Sequence, residues 1–188
     1  MKRAPGRLRI IGGELRSRVV EFAAAPGVRA TPDRVRQTLF DWLTPVIEGA
    51  RALDLFAGSG ALGLEALSRG AGHVTFVEAA APQAASIRAS LAKFGLTARA
   101  TVVQGDALAF LRSTRERFEL AFLDPPFEAG LLAPALAALP RALSGDPRVY
   151  AEWPAGVAPP WPAGYSVLRE KQAGQVSYAL ATVTGTAA

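Results

Sequence analysis

The chain of 188 residues contains no cysteine and only one histidine and one methionine. The lack of cysteine excludes a disulfide scaffold, thiolate-bound zinc and thiol catalysis. A single histidine, His73, cannot build a multi-histidine metal site, and at a helix-to-strand junction it reads as structural, so no metal is expected. No run is apolar and long enough to span a bilayer. The start, MKRAPGRLRIIGG, is basic but lacks the apolar stretch and cleavage signal of a secretory peptide. Charged residues make up 20% and apolar ones 50%, the balance of a folded chain rather than a disordered one. One compact, monomeric, cytoplasmic domain with a small extension is the expectation.

What charge there is lies unevenly. Residues 1–36 hold nine of the 21 basic side chains and three of the 16 acids, a net +6, which leaves the rest at −1. A basic arm on a near-neutral body suggests a polyanionic partner. The arm is patterned as well as charged. Two β-prone runs between Arg7 and Phe22 surround Gly12-Gly13 and predict a hairpin turning there. Arg16 and Arg18 share a parity and would project from one face. Beyond the Pro26-Gly27 loop, Thr31-Pro32-Asp33 reads as a helix start with Thr31 as N-cap. Val35, Leu39, Trp42 and Leu43 share one helical face, with Arg34 and Arg36 off it and free to meet solvent or ligand.

From Ala50 the pattern alternates strand and helix. Strands are expected at 51–56, 73–78, 100–104, 120–123 and 148–153. Helices are expected at 61–69, 82–94, 107–114 and 131–143. A terminal hairpin follows at 165–171 and 176–183. Such alternation requires a mostly parallel, Rossmann-like α/β sheet with helices on both faces.

Asp54-Leu-Phe-Ala-Gly58-Ser-Gly60 joins the first of these strands to its helix, where glycines admit a tight turn and bring backbone N–H groups against a ligand. With Gly63 the segment also satisfies G-x-G-x-x-G, and Glu78 ends the next strand, which a dinucleotide fold would equally allow. Asp54 tilts the reading: a carboxylate at that strand end repels a pyrophosphate but suits the ammonium and sulfonium of S-adenosylmethionine. Glu78 would accept from ribose hydroxyls in either cofactor. Asp106 could accept from an adenine amine while capping the helix that follows.

Asp124-Pro125-Pro126-Phe127 closes the fourth strand of this series. Asp54, Glu78, Asp106 and Asp124 would then lie along the carboxyl edge of one sheet, where open α/β folds bind ligands. An exocyclic amine on a base is a poor nucleophile, because its lone pair is delocalised into the ring. Two acceptors on its N–H groups, the Asp124 carboxylate and the Pro125 carbonyl, would draw it toward tetrahedral geometry. Consecutive prolines fix that carbonyl's direction, and Phe127 could stack on a flipped base.

DLFAGSGALGLEALSRGA, FLDPPF, RIIGGELRSR, RATPDRVRQTLFDWL and REKQAGQVSYAL together resemble the RsmD family of bacterial 16S rRNA guanine-N2 methyltransferases over nearly the whole chain. The resemblance implies a class I methyltransferase domain at 31–188 behind a β-hairpin arm at 1–30. It implies S-adenosylmethionine as cofactor, and one guanine of 16S rRNA in the partly assembled small subunit as substrate. It implies that Asp54, Phe56, Ala57, Gly58, Gly60, Glu78, Asp106 and Ala107 bind the cofactor. Asp124, Pro125 and Phe127 would hold the target base, and Arg9, Arg16, Arg18, Arg29, Thr31, Arg34 and Arg36 would meet RNA. The chain departs from the family pattern at Ser17, where a glycine is usual, at Ala30, where a proline is usual, and at Ala79-Ala80, where a charge is common. Other readings of DPPF are a DNA adenine-N6 or cytosine-N4 methyltransferase, a protein amide methyltransferase, or an assembly factor that binds RNA without transferring methyl.

Overall fold

The computed structural model describes residues 4–24 and 31–184; Arg29 and Ala30 lie outside the described residues. Two sheets form. β1 (Gly6–Arg9) and β2 (Val19–Phe22) pair antiparallel, with Arg9 opposite Val19. The large sheet contains β3 (Arg51–Asp54), β4 (His73–Glu78), β5 (Ala100–Gln104), β6 (Phe118–Leu123), β7 (Leu143–Pro154), β8 (Tyr165–Ala173) and β9 (Val176–Val183). Its order is β5-β4-β3-β6-β7-β9-β8, parallel except for the antiparallel pairs that β9 makes with β7 and β8. The strand order reverses between β3 and β6, which opens a crevice at their carboxyl ends.

The helices are α1 (Asp33–Leu43), α2 (Ala61–Ser68), α3 (Ala81–Lys93), α4 (Ala107–Ser113) and α5 (Leu132–Ala138). Leu120 and Phe122 of β6 join the core that faces α1, α2 and α3. Ala121 and Leu123 join the core that faces α4 and α5. Burial on both faces is why these strands read as unbroken apolar runs. The helix expected over 131–143 stops at Ala138 and tightens into a 3-10 turn over Leu139–Ala142. Pro140 sits in that turn and has no N–H to continue the α-helical ladder.

The arm is built differently from expectation. Gly12-Gly13 does not close a tight hairpin; nine residues, 10–18, connect β1 to β2. The N–H groups of Ile10, Arg16, Ser17 and Arg18 bond within this connection, and those of Ile11, Gly12, Glu14 and Leu15 find partners on α2. Glu65 accepts from the N–H of Ile11 at 2.9 Å and of Gly12 at 2.8 Å. Ser68 accepts from Leu15 through its hydroxyl and from Glu14 through its carbonyl. A Cβ on Gly13 would lie 1.7 Å from the Ser68 carbonyl oxygen, so only glycine allows this approach. Arg16 and Arg18 therefore fall in the connection, outside either strand, and strand parity does not govern them; both are exposed. Ser17 between them has φ 69°, a left-handed conformation that favours the glycine usual there. Leu8, Ile10, Leu15, Val20 and Phe22 lie in the same core cluster as α1 and α2.

Among the described residues no helix is long and apolar enough to cross a membrane, and no cluster of His, Asp or Glu is arranged to hold a metal ion. His73 shares a 3.0 Å hydrogen bond with Thr101, at the amino ends of β4 and β5.

Candidate active site

Parallel pairing puts Asp54 opposite Phe122, with Asp124 just past the end of β6, so the two carboxylates flank the crevice. Asp54 is 3% exposed, and its Oδ2 accepts from the N–H of Gly63 in the first turn of α2 at 2.9 Å. Burial pushes its carboxyl up to about 7. The Gly63 bond pulls it down, and the charges of Asp124 and Glu78 push it up again. Between Asp54 and α2 the chain turns through Phe56, Ala57, Gly58, Ser59 and Gly60. Gly60 has φ 77°, and an added Cβ there would also press on Ile87 at 3.1 Å. Gly63 has a packing role: a Cβ would enter the Phe76 ring, so its absence lets α2 sit close on β4.

Glu78 ends β4 and turns back to this loop. Its two oxygens accept from the N–H of Gly58 and of Ala80, both at 2.7 Å. Asp106 caps α4 by accepting from Ala109 at 2.7 Å, and it stays exposed at the end of β5 beside buried Ala107. Three carboxylates, Asp54, Glu78 and Asp124, thus converge near one glycine turn without an ion-pair partner among the described residues. An uncompensated buried carboxylate beside two others is an electrostatic complement to a cation, so the residues fit a sulfonium- and ammonium-bearing cofactor.

The Asp124 side is assembled from three elements. Thr31, just before α1, donates its hydroxyl to Asp124 Oδ2 at 3.3 Å. It is not the expected N-cap: the helix starts after Pro32 without a side-chain cap, because the Thr31 hydroxyl serves Asp124 and its carbonyl accepts from Arg36 Nε. Burial pushes the Asp124 carboxyl up to about 6, against hydrogen bonds with Glu152 and Thr31 that lower it. Pro125 is buried, and Phe127 is 42% exposed at the start of a 3-10 turn over Phe127–Ala129. Beside them opens a cavity of about 260 Å³, walled by Pro125, Phe127, Leu131, Glu152, Trp153 and Val157. A larger cavity of about 570 Å³ lies at the opposite end of the sheet, near Gly13, Glu48, Gly72 and Arg99, away from every carboxylate of the crevice.

Two expected RNA contacts are corrected. Thr31 is 6% exposed, with its hydroxyl on Asp124 and its carbonyl on Arg36. Arg36 is 0% exposed. Its guanidinium bonds Asp33, Glu65 at 3.3 Å, the Arg9 carbonyl at 2.9 Å and the Thr31 carbonyl at 3.1 Å. A buried cation needs such partners, and α2 supplies the main one. Arg9, Arg16, Arg18 and Arg34 are exposed. Sequence reasoning does not single out Glu65, Tyr150 or Glu152. Each is a polar group inside an apolar run, ALGLEALS or RVYAEW, and a lone charge in such a run signals a buried partner.

The reversed sheet, its antiparallel last strands and the Asp-Pro-Pro-Phe turn at the switch point define the class I, Rossmann-like methyltransferases. Comparison narrows this. The family model described as "Conserved hypothetical protein 95" matches residues 8–182. Ribosomal RNA small subunit methyltransferase D of Escherichia coli K12 is 43% identical over 178 residues, 93% of this chain and 89% of its own. The protein of the same name from Haemophilus influenzae is 38% identical over 182 residues, 94% of both chains. A solved Escherichia coli structure, yhhF, superposes with a TM-score of 0.83 at 42% identity, covering 95% of this chain and 98% of its own. The chain belongs to the RsmD family of methyltransferases.

Proposed function

We propose that the protein transfers a methyl group from S-adenosylmethionine to the exocyclic N2 of one guanine in 16S rRNA, acting as a monomer on the partly assembled small subunit in the cytoplasm. The observation that carries this reading is Asp124, a half-buried carboxylate held by Thr31 at the switch point, next to the Pro125 carbonyl and the exposed Phe127 ring. The names of the Escherichia coli and Haemophilus influenzae relatives support ribosomal RNA as substrate.

Asp54, Glu78, Asp106 and the Phe56–Gly60 turn would hold the cofactor, with Ala107 beside its adenine. Bound there, it supplies an electrophilic methyl group on a sulfonium. Asp124 and the Pro125 carbonyl accept the two N–H groups of the base amine and aim its lone pair. Phe127 stacks on the base that has left its helix. Catalysis of this kind is positioning and electrostatics. Exposed Arg9, Arg16, Arg18 and Arg34, with Arg29 outside the described residues, supply cations for phosphates.

The test is mass spectrometry of nuclease-digested 16S rRNA from a strain lacking the gene. One N2-methylguanosine should disappear, and purified protein with S-adenosylmethionine should restore it on isolated subunits. An unchanged modification profile, or loss of a methylated adenine instead, overturns the reading.

A further inference from the structure

Behind Asp124 stands a carboxyl that the reaction as described leaves unused. Glu152 on β7 is 5% exposed and sits opposite Tyr178 of β9. Leu123 pairs with Ala151 in the parallel register, which brings the next residues, Asp124 and Glu152, side by side. The phenol of fully buried Tyr150 donates to Glu152 Oε1 at 2.7 Å. Glu152 also lines the cavity beside Pro125 and Phe127.

Two ionised carboxylates are acceptors only and repel when set side by side away from water, so one proton between them is the arrangement that lets them bond each other. The neighbours supply none to spare. Thr31 from the start of α1 and Tyr150 on β7 each already donate to one member. Asp54 from β3 brings a further negative charge toward Asp124, and Tyr178 from β9 brings a neutral phenol toward Tyr150. Among the described residues, no cation pairs with either carboxyl. The pair therefore carries one proton and one negative charge.

We propose that Glu152 is a positioning residue of the methyl-acceptor site, a neutral acid that donates to Asp124, confines the negative charge to Asp124 and fixes that carboxylate's orientation toward the target amine. This rests on the amine-methylation reading above. Burial and the neighbouring Asp124 charge hold the Glu152 carboxyl well above the usual carboxylate range, in agreement with the geometry. With Thr31 and Glu152 both donating to it, Asp124 cannot swing, and its remaining lone pairs face the crevice. As the lone pair of the amine nitrogen bonds the methyl carbon, the carbon–sulfur bond breaks with its electron pair left on a now neutral sulfur, and the nitrogen becomes positive. Its surplus proton then passes to the Asp124 carboxylate, so both charges vanish and the pair holds two protons. One of these returns to water when product leaves.

Two substitutions separate this role from packing. E152Q keeps a donor for Asp124 and an acceptor for Tyr150 but cannot ionise; E152A keeps neither. Single-turnover methyl transfer to small subunits from the deletion strain is followed from acid to alkaline pH, with cofactor affinity measured by calorimetry. E152A should be slower by on the order of 10- to 100-fold, the weight of one hydrogen bond to a charged group, with cofactor affinity unchanged. E152Q should recover most of that loss. The wild type should also slow at alkaline pH, when Glu152 ionises and repels Asp124, and E152Q should lose that alkaline limb while keeping the acid one. An inactive E152Q, or an alkaline limb that is absent in the wild type or unchanged in E152Q, overturns the proposal. Infrared spectroscopy of cofactor-free protein supplies a readout independent of turnover: a buried protonated-carboxyl band in the wild-type-minus-E152Q difference spectrum at neutral pH, where the contribution of Asp54 cancels. If wild type shows no guanine-N2 transfer, the proposed reaction fails, and the infrared band still decides whether Glu152 holds the proton.

Discussion

Thr31 and Asp124 stand 93 residues apart in the chain and meet at 3.3 Å, the hydroxyl of the first donating to the carboxylate of the second. The bond ties the segment that follows the arm to the centre of the crevice. It also lowers the Asp124 carboxyl against the burial that raises it. Thr31→Val removes the donor and little volume. On the proposed reaction Asp124 acts ionised, so the wild-type rate should fall as pH drops through about 6. In Thr31→Val that limb should move to higher pH, slowing transfer a few-fold at neutrality. Rate against pH checks this; an unmoved limb would show that the hydroxyl does not act on Asp124.

Asp124 itself carries the largest expected effect. Asp124→Ala should cost on the order of 10²–10³ in single-turnover rate, as removal of one preorganised electrostatic partner does. Asp124→Asn keeps an acceptor oxygen without the charge and should fall between. Calorimetry should show cofactor affinity retained in both. Near-normal transfer by Asp124→Ala would make the DPPF turn structural only.

Asp54 should set stability and cofactor affinity against each other. Its folded-state value of about 7 lies above the ordinary 3.8, so the folded state holds the proton more tightly. The stability this confers is complete at low pH and is lost as pH rises from about 4 through 7. Asp54→Asn removes the buried charge while keeping an acceptor for Gly63. Without cofactor, its Tm should exceed that of wild type near pH 8, at roughly 2–4 °C per kcal/mol for a chain this size, and the gap should close in acid. Its affinity for S-adenosylmethionine should drop at least about tenfold, the weight of one charged hydrogen bond. Equal melting curves across pH would refute the buried-charge account.

The arm's charges and its anchor should separate in experiment. Arg16→Ala and Arg18→Ala remove exposed cations. Melting should be unaffected, while the log–log salt slope of RNA binding should flatten by roughly 0.7–0.9 for each phosphate no longer neutralised. Glu65→Ala instead leaves Arg36 buried beside vacated N–H groups of Ile11 and Gly12. That should destabilise by about 3–5 kcal/mol, the cost of breaking a buried ion pair. Denaturant titration of the three variants gives the comparison.

Ser17 tests backbone strain. At φ 69° a serine carries a left-handed penalty that glycine avoids, offset in part by glycine's greater unfolded-state freedom. Ser17→Gly should gain about 0.5–1 kcal/mol in the same titration. A drop in stability would mean that the Ser17 side chain is needed.

The parts of this architecture legible in the sequence are those that local pattern controls. β4, β5 and β9 begin and end where their apolar runs do, and α2, α3 and α4 lie within a residue of expectation. The carboxylates of the crevice were legible because each one ends a strand, and parallel strands present their ends together. β7 starts at Leu143, five residues early, because Leu143 pairs with Phe118 ahead of a register shift that Gly145-Asp146-Pro147 disguises as a turn. Arg36, Glu65 and Glu152 were illegible for a different reason. Their roles depend on partners brought close only by tertiary packing, so the local pattern shows that a charge is buried but not what meets it.

The docking of the arm on α2 also sets an order of events during synthesis. Ile11 and Gly12 find their acceptor at Glu65, and Leu15 finds its own at Ser68, 53 to 54 residues further on. A growing chain holds both strands of the arm long before it holds their anchor. Until α2 has emerged, the N–H groups of Ile11, Gly12, Glu14 and Leu15 lack their native acceptors and the apolar side of the connection lacks its native core. Attachment of the arm is therefore a late, long-loop closure, and a nascent chain that stalls before Ser68 cannot complete it.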